Sequence, residues 1–294
     1  MKNILVIGCN GQVGKSLMRL AESYDFGVVG LDYPDVDITQ LESLEQKCSN
    51  LDLDLLINAA AYTAVDKAEK EEKAAYAVND LGTKNLGLFC KSKSIPCFHI
   101  STDYVFDGTR GNYSEKDKTN PVSIYGKSKL AGEISLNEVC PENIILRSCW
   151  IYSEFGNNFL KTMIHLAQTR DELGIVADQY GGPTSAIDVA KALLDLAVKH
   201  FEGAKVYGLY HFSGTPYCNW YEFAKYIFEE ALSEGLIEEI PKVNELTTAQ
   251  YPTPASRPAN SCLDISKIKS VIPGVDNDWK DEVKRILKVL KAEQ

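Results

Sequence analysis

The 294-residue chain is long enough for one large domain, or for a large domain carrying a smaller one, each with a core of its own. Apolar residues make up 45% and charged residues 24%, which excludes disordered, collagen-like and coiled-coil classes. The formal net charge of -10 argues against a nucleic-acid partner, although a local basic pocket for an anionic substrate need not show in a total.

Asn3 to Ile7 is a short apolar run and reads as a first buried strand, followed by a glycine loop from Gly8 to Gly14. Gln12 to Glu22 carries helical periodicity. Gly27 to Leu31 reads as a second strand, ending in Asp32, and Gln40 to Lys47 as a short helix. Leu53 to Ile57 is a third strand, Lys70 to Lys91 a long helical segment, and Ile95 to Ile100 a fourth strand. Ser123 to Val139 is helical and Asn143 to Arg147 is a fifth strand. This alternation predicts an α/β fold of Rossmann type, a doubly wound parallel sheet covered on both faces. Right-handed crossovers then bring all strand C-termini, and any ligand, to one edge.

The pattern changes after Trp150. Asn158 to Arg170 reads as a helix, Gln179 to Gly182 as a Gly-rich turn, Ile187 to Lys199 as a long amphipathic helix and Val206 to Phe212 as a strand. Trp220 to Ser233 is helical, the Pro-rich segment Ala249 to Asn260 is irregular, and Asp276 to Leu290 closes the chain as a helix. The expected division is a nucleotide-binding domain over residues 1–150, joined by helix 185–200. Residues 151–294 then form mainly a smaller mixed α/β substrate domain, interleaved with the first.

Eight cysteines occur with no CxxC pair, and four histidines with no HExxH, so no zinc site is expected. The cysteines read as small buried hydrophobes of a reduced compartment. No signal-peptide pattern and no eighteen-residue apolar run is present. A soluble, cytoplasmic protein without a membrane partner is expected.

Gly8-Cys9-Asn10-Gly11-Gln12-Val13-Gly14 is GxxGxxG between a strand and a helix. Gly8 suits a tight turn, Gly11 a close approach to a pyrophosphate, and Gly14 tight packing of helix on strand. The helix N-terminus adds free N–H groups and partial positive charge. Asp32, eighteen residues after Gly14, is placed to accept from the adenosine ribose hydroxyls and would repel a 2'-phosphate. The expected cofactor is therefore NADH or NADPH, with NADH slightly preferred, and Asp37 offers a further polar contact beside the adenine.

Tyr125 and Lys129 stand four residues apart on one face of a helix start. An ammonium beside a phenol favours the phenolate, so Lys129 is expected to lower the pKa of Tyr125 and let it exchange a proton with a developing alkoxide. Lys129 can also hold a nicotinamide ribose, whereas Lys127 faces elsewhere. The fourth strand ends in Ser101-Thr102-Asp103-Tyr104, at the ligand edge, where the Thr102 hydroxyl can meet a substrate carbonyl.

With these motifs the chain resembles the extended short-chain dehydrogenase/reductases, over nearly its whole length. Further marks are NAAAYTAVDKAE at 58–69, STDYVFDG at 101–108, YGKSKLAGE at 125–133, RSCWIY at 147–152, GNNF at 156–159, DQYGGPT at 178–184 and YPTPASRPANSCLD at 251–264. Within that superfamily they match the branch that reduces dTDP-4-dehydro-6-deoxy-L-mannose to dTDP-L-rhamnose. The resemblance implies Thr102, Tyr125 and Lys129 for catalysis. It implies cofactor contacts at Gly11, Gln12, Val13, Asp32, Asp37, Ile38, Ala61, Tyr62 and Thr63, with Tyr125 and Lys129 on the ribose. Sugar contacts fall on Thr102, Asp103 and Trp150. Some members dimerise with a magnesium ion between carboxylates. No such carboxylates can be assigned here, so no metal ligands are named; magnesium stays open but unplaced, as do monomer and homodimer.

Arg257, inside the Pro-rich loop, is the candidate for the substrate diphosphate, since a guanidinium suits bidentate phosphate contacts. Arg147, at the end of the fifth strand, reads equally as a phosphate ligand or as half of a buried pair. Other readings are a nucleotide-sugar epimerase, a dehydratase and a non-catalytic NAD(P)-binding regulatory subunit. Dehydratases of this scaffold carry Glu after Thr-Asp, where this chain has Tyr104. The intact Thr102, Tyr125 and Lys129 argue against the regulatory subunit.

Overall fold

The computed structural model describes residues 1–275 and 277–293. Its first half runs β1 (Lys2–Ile7), α1 (Gln12–Leu20), β2 (Phe26–Leu31), α2 (Leu41–Lys47), β3 (Leu55–Asn58), α3 (Val65–Ala68), α4 (Glu72–Tyr76), α5 (Thr83–Lys93), β4 (Cys97–Thr102), α6 (Ile124–Val139) and β5 (Asn143–Ser148). All residues of β3 and β5 are buried, as a sheet covered on both faces requires. The second half adds β6 (Ile151–Tyr152), α7 (Phe159–Ala167), β7 (Glu172–Val176), β8 (Tyr180–Gly181), β9 (Thr184–Ser185), α8 (Ala186–Phe201) and β10 (Gly208–His211). It ends with β11 (Cys218–Asn219), α9 (Trp220–Ser233), β12 (Lys242–Leu246), α10 (Ser266–Val271) and α11 (Trp279–Ala292).

The main sheet has the order β10-β5-β4-β3-β1-β2, and every pair in it is parallel. The expected parallel α/β sheet is therefore present. Register places Ile7 beside Asn58, Asn58 beside His99, and Thr102 beside Ser148, so the ends of β1, β3, β4 and β5 share one edge. The strand order reverses between β1 and β3, which opens a crevice there. Helix α8 and strand β10 belong with this sheet: Val189, Leu193 and Tyr210 share an apolar cluster with Ile4, Val6 and Leu146. A second cluster joins α7, α9 and α11 through Leu160, Phe223 and Ile286.

Several local expectations need correction. The long helix expected over 70–91 is divided into α4, a π-helical turn at Ala77–Gly82, and α5. Asn79 in that turn is buried, and its amide binds the Tyr62 backbone on both sides and the Ser128 hydroxyl. A π turn at a functional edge re-aims one residue, here onto the loop after β3. Strand β8 lies inside the stretch expected as a turn. The five-residue parallel pair β7–β12 was not expected, nor were the ladders β6–β9 and β8–β11, whose two-residue strands carry no readable period. The closing helix starts at Trp279, with the Asp278 carboxylate accepting the Lys280 N–H at 2.9 Å. Asp276, where its start was expected, lies outside the described residues. All eight cysteines are unpaired, and only Cys9 is not fully buried. Among the described residues no helix is long and apolar enough to cross a membrane.

Candidate active site

A cleft of about 690 Å³ opens along the C-terminal edge of the main sheet. One end is the β1–α1 turn. Gly8 has φ +80°, and a Cβ there would come within 2.5 Å of the Ala60 nitrogen, so only glycine fits. A Cβ on Gly14 would reach 2.0 Å from the Gly8 carbonyl, which explains the close seat of α1. Gly11 precedes α1 without any side-chain cap, leaving first-turn N–H groups for an anion. The turn thus has the shape and the donors that a dinucleotide pyrophosphate needs.

Asp32 borders the same end and is held in place: its carboxylate accepts the Asn10 and Tyr33 N–H groups, each at 2.8 Å. Asp37 is held likewise by the Thr39 backbone and hydroxyl, at 2.9 and 2.8 Å. The Gln12 side-chain oxygen accepts from Ser153 at 2.8 Å and Asn158 at 3.0 Å, tying the turn to the segment after β6. Gly11, Gln12, Val13, Ile38, Ala61 and Thr63 all line the cleft. Gly14 is buried behind it. Tyr62 is not among the lining residues, and its hydroxyl turns to Glu71 at 2.6 Å.

At the other end stand Thr102, Asp103, Tyr125, Lys129 and Trp150. Ser123 caps α6 by accepting the Gly126 N–H at 3.1 Å, which sets Tyr125 and Lys129 on the helix's first turns. Lys127 is exposed, as expected. The Thr102 hydroxyl accepts the Tyr104 N–H at 3.2 Å, donates to Asp103 at 3.0 Å and meets the Tyr125 hydroxyl. Burial pushes Asp103 up to about 6 against the pull of its hydrogen bonds from Ser261 and Thr102. Burial also takes the Lys129 ammonium down to about 8, although Glu133 favours the charge.

The expected lowering of Tyr125 by Lys129 is not found. Burial pushes the Tyr125 phenol up to about 12, opposed by the Thr102 hydrogen bond. The physical reason is where the lysine points: its Nζ donates to the Ile100 carbonyl at 2.8 Å and lies 3.2 Å from His99 Nε2. Its charge is spent on β4 rather than on the phenol.

Trp150 adopts φ +48°, a backbone state rare for a bulky residue and typical of functional edges. Its indole stacks on Trp220 with centroids 3.5 Å apart, and both rings border the cleft. The apolar wall is therefore a two-ring stack. Trp220 escaped the sequence reading. Its signal was the Asn219–Glu222 capping box, which fixes Trp220 as the first residue of α9. Arg257 lies outside the lining residues. It pairs with Asp66 at 2.9 Å, and its Nε is buried without a partner. Arg147 is half of a buried pair with Glu133. Among the described residues no group of three or more His, Cys, Asp or Glu is placed to hold a metal.

The family model described as RmlD substrate binding domain matches residues 1–292. A dTDP-4-dehydrorhamnose reductase of Aggregatibacter actinomycetemcomitans is 45% identical, over 97% of this chain and 98% of that one. The chain belongs to the dTDP-4-dehydrorhamnose reductase family. Solved structures agree with that membership. A dTDP-4-dehydrorhamnose reductase from Clostridium acetobutylicum matches with TM-score 0.90 and 37% identity, covering 98% of this chain and 99% of that one. The Bacillus anthracis reductase, solved in complex with NADP, matches with TM-score 0.89 and 33% identity, covering 98% and 100%. The expected resemblance to the extended short-chain dehydrogenase/reductases thus holds at the level of one reductase family.

Proposed function

We propose that the chain reduces the 4-keto group of dTDP-4-dehydro-6-deoxy-L-mannose to give dTDP-L-rhamnose, with Tyr125 as proton donor. The observation that carries this reading is the meeting of Thr102 and Tyr125 hydroxyls beside Lys129, in one cleft with an uncapped helix start. A nicotinamide cofactor held along the β1–α1 turn supplies the hydride. Tyr125, protonated at neutral pH, gives its proton to the oxygen that gains charge. Thr102 orients that oxygen, and the Trp150–Trp220 stack offers an apolar wall to the deoxysugar. In this reading residues 1–150 with helix 185–200 hold the cofactor, and residues 151–294 supply mainly the sugar side. The test is NAD(P)H oxidation with the 4-keto sugar, with the product identified by NMR. No oxidation, or a product epimeric at another carbon, counts against it, and the second outcome favours an epimerase.

Cofactor choice follows from Asp32. Its fixed carboxylate suits ribose hydroxyls and repels a 2'-phosphate, so kcat/KM is expected to favour NADH, by a modest margin. Measurement of kcat/KM for both cofactors at fixed sugar decides, and a clear NADPH advantage removes Asp32 from this role.

Arg257 is proposed to bind the diphosphate of the dTDP-sugar. It lies near enough to Tyr104, a lining residue, for its charge to act there, and its Nε is a buried donor in want of an acceptor. Replacing Arg257 with Ala should raise KM for the sugar nucleotide far more than for NADH. Lys should recover only part, since it lacks the two-donor fork. Unchanged KM for the sugar in Arg257→Ala would remove the assignment.

A further inference from the structure

The histidine at the centre of β4 has no part in the chemistry above, yet it touches Lys129. His99 and Asn58 are both fully buried and are register partners on β4 and β3. The Asn58 side-chain oxygen accepts the Ala60 backbone N–H at 3.0 Å. A backbone N–H only donates, so the Asn58 oxygen faces it and the Asn58 NH₂ faces His99. That NH₂ lies 2.9 Å from His99 Nδ1 and also only donates. Nδ1 must therefore be the bare, accepting nitrogen.

Burial, aided by the Lys129 charge, holds the His99 pKa well below its ordinary value, so the ring is neutral. A neutral imidazole with a bare Nδ1 carries its single proton on Nε2. Nε2 is the atom 3.2 Å from Lys129 Nζ. An ammonium has three donors and no lone pair, so it would meet this N–H donor to donor. A free amine can accept from Nε2–H and still donate to the Ile100 carbonyl at 2.8 Å. The hydrogen-bond chain Ala60–Asn58–His99–Lys129–Ile100 is complete only when Lys129 has given up its proton.

We propose that Asn58 and His99 are positioning residues that lock one imidazole tautomer against Lys129 and stabilise its neutral amine. Other ionisable groups around Lys129 do not explain this. Glu133, a turn further along α6, favours the ammonium and is itself taken by Arg147 of β5 and Ser101 of β4. Tyr125, a turn earlier, is protonated at neutral pH, and Asp103 acts on Tyr125 from the one-turn helix after β4. Asn79 and Ser128, on the π turn and on α6, are neutral and satisfied by each other.

The inference rests on the reading of Lys129 as part of the reductase machinery, but its test does not need turnover. ¹⁵N-histidine NMR of the intact protein, with His99 assigned through His99→Gln, should show a bare Nδ1 and a protonated Nε2. A protonated Nδ1 or a charged ring overturns the proposal. Titration of ¹³C-lysine-labelled protein should place Lys129 well below ordinary lysines. In His99→Gln the side-chain oxygen can turn to the ammonium, so the Lys129 pKa should rise by about one unit. An unchanged or lower value also overturns the proposal. The alkaline limb of the kcat profile should move upward with it. An inactive enzyme with the expected NMR behaviour would refute the functional reading and leave the tautomer lock standing.

Discussion

Replacing Tyr125 with Phe is expected to lower kcat by roughly 10²–10⁴-fold, the usual worth of a positioned proton donor, with little change in NAD(P)H affinity. The variant loses one oxygen and keeps the ring that packs edge-on against Tyr104 at 5.5 Å, so the cleft wall survives. The raised Tyr125 pKa of about 12 matters for direction. At neutral pH the group is fully protonated, which is the state a reduction needs. A phenol so reluctant to ionise must be refilled quickly after each turnover. Single-turnover rates and a fluorescence titration with NADH separate chemistry from binding. Lys129→Ala should damage both, whereas Tyr125→Phe damages the rate alone. Near-normal turnover in Tyr125→Phe would take the proton-donor role away from it. Asp103, a buried acid of pKa about 6, would then be the next group to test.

The strands of the first half were legible because β3, β4 and β5 are apolar runs bounded by loops, and α8 in the second half because it keeps its helical period. The glycine turn was legible because its geometry tolerates nothing else at Gly8 and Gly14. What stayed hidden depends on partners distant in sequence. Trp220 reaches the cleft by stacking on Trp150, 70 positions earlier. The π turn at Asn79 is fixed by contacts to Tyr62 and Ser128. The direction of the Tyr125 shift was misread because the spacing of Tyr125 and Lys129 shows only that they share a face. It does not show that β4 offers the ammonium a better acceptor at the Ile100 carbonyl. Arg147 was left between a ligand and a structural pair because a sequence cannot show that Glu133 waits opposite it.

That pair supports the second large effect, a loss of about 3–5 kcal/mol of stability on replacing Glu133 with Ala. Arg147 Nε and Nη2 reach the two Glu133 oxygens at 2.9 and 2.6 Å, and both side chains are only 5% exposed. Ser101 donates a third hydrogen bond to the same carboxylate. Removing the carboxylate strands a guanidinium in the core, where His211, neutral and 3.4 Å away, is a poor replacement. The loss is large against the 5–15 kcal/mol that hold a typical domain folded. Urea unfolding should show a lower midpoint with an unchanged slope. The cause is the unpaired charge rather than the missing pair, and a double variant separates the two. Glu133→Leu with Arg147→Met removes both charges while keeping volume, and should recover much of the stability. The pair ties α6 to the ends of β4 and β5, so Glu133→Ala should also loosen Lys129, one turn back, and Thr102, next to Ser101. Cofactor affinity should then fall in the single variant and return in part in the double one. A stability loss below about 1 kcal/mol for Glu133→Ala would mean that Arg147 finds water. Apolar contacts such as Leu136 would then hold α6 on the sheet unaided.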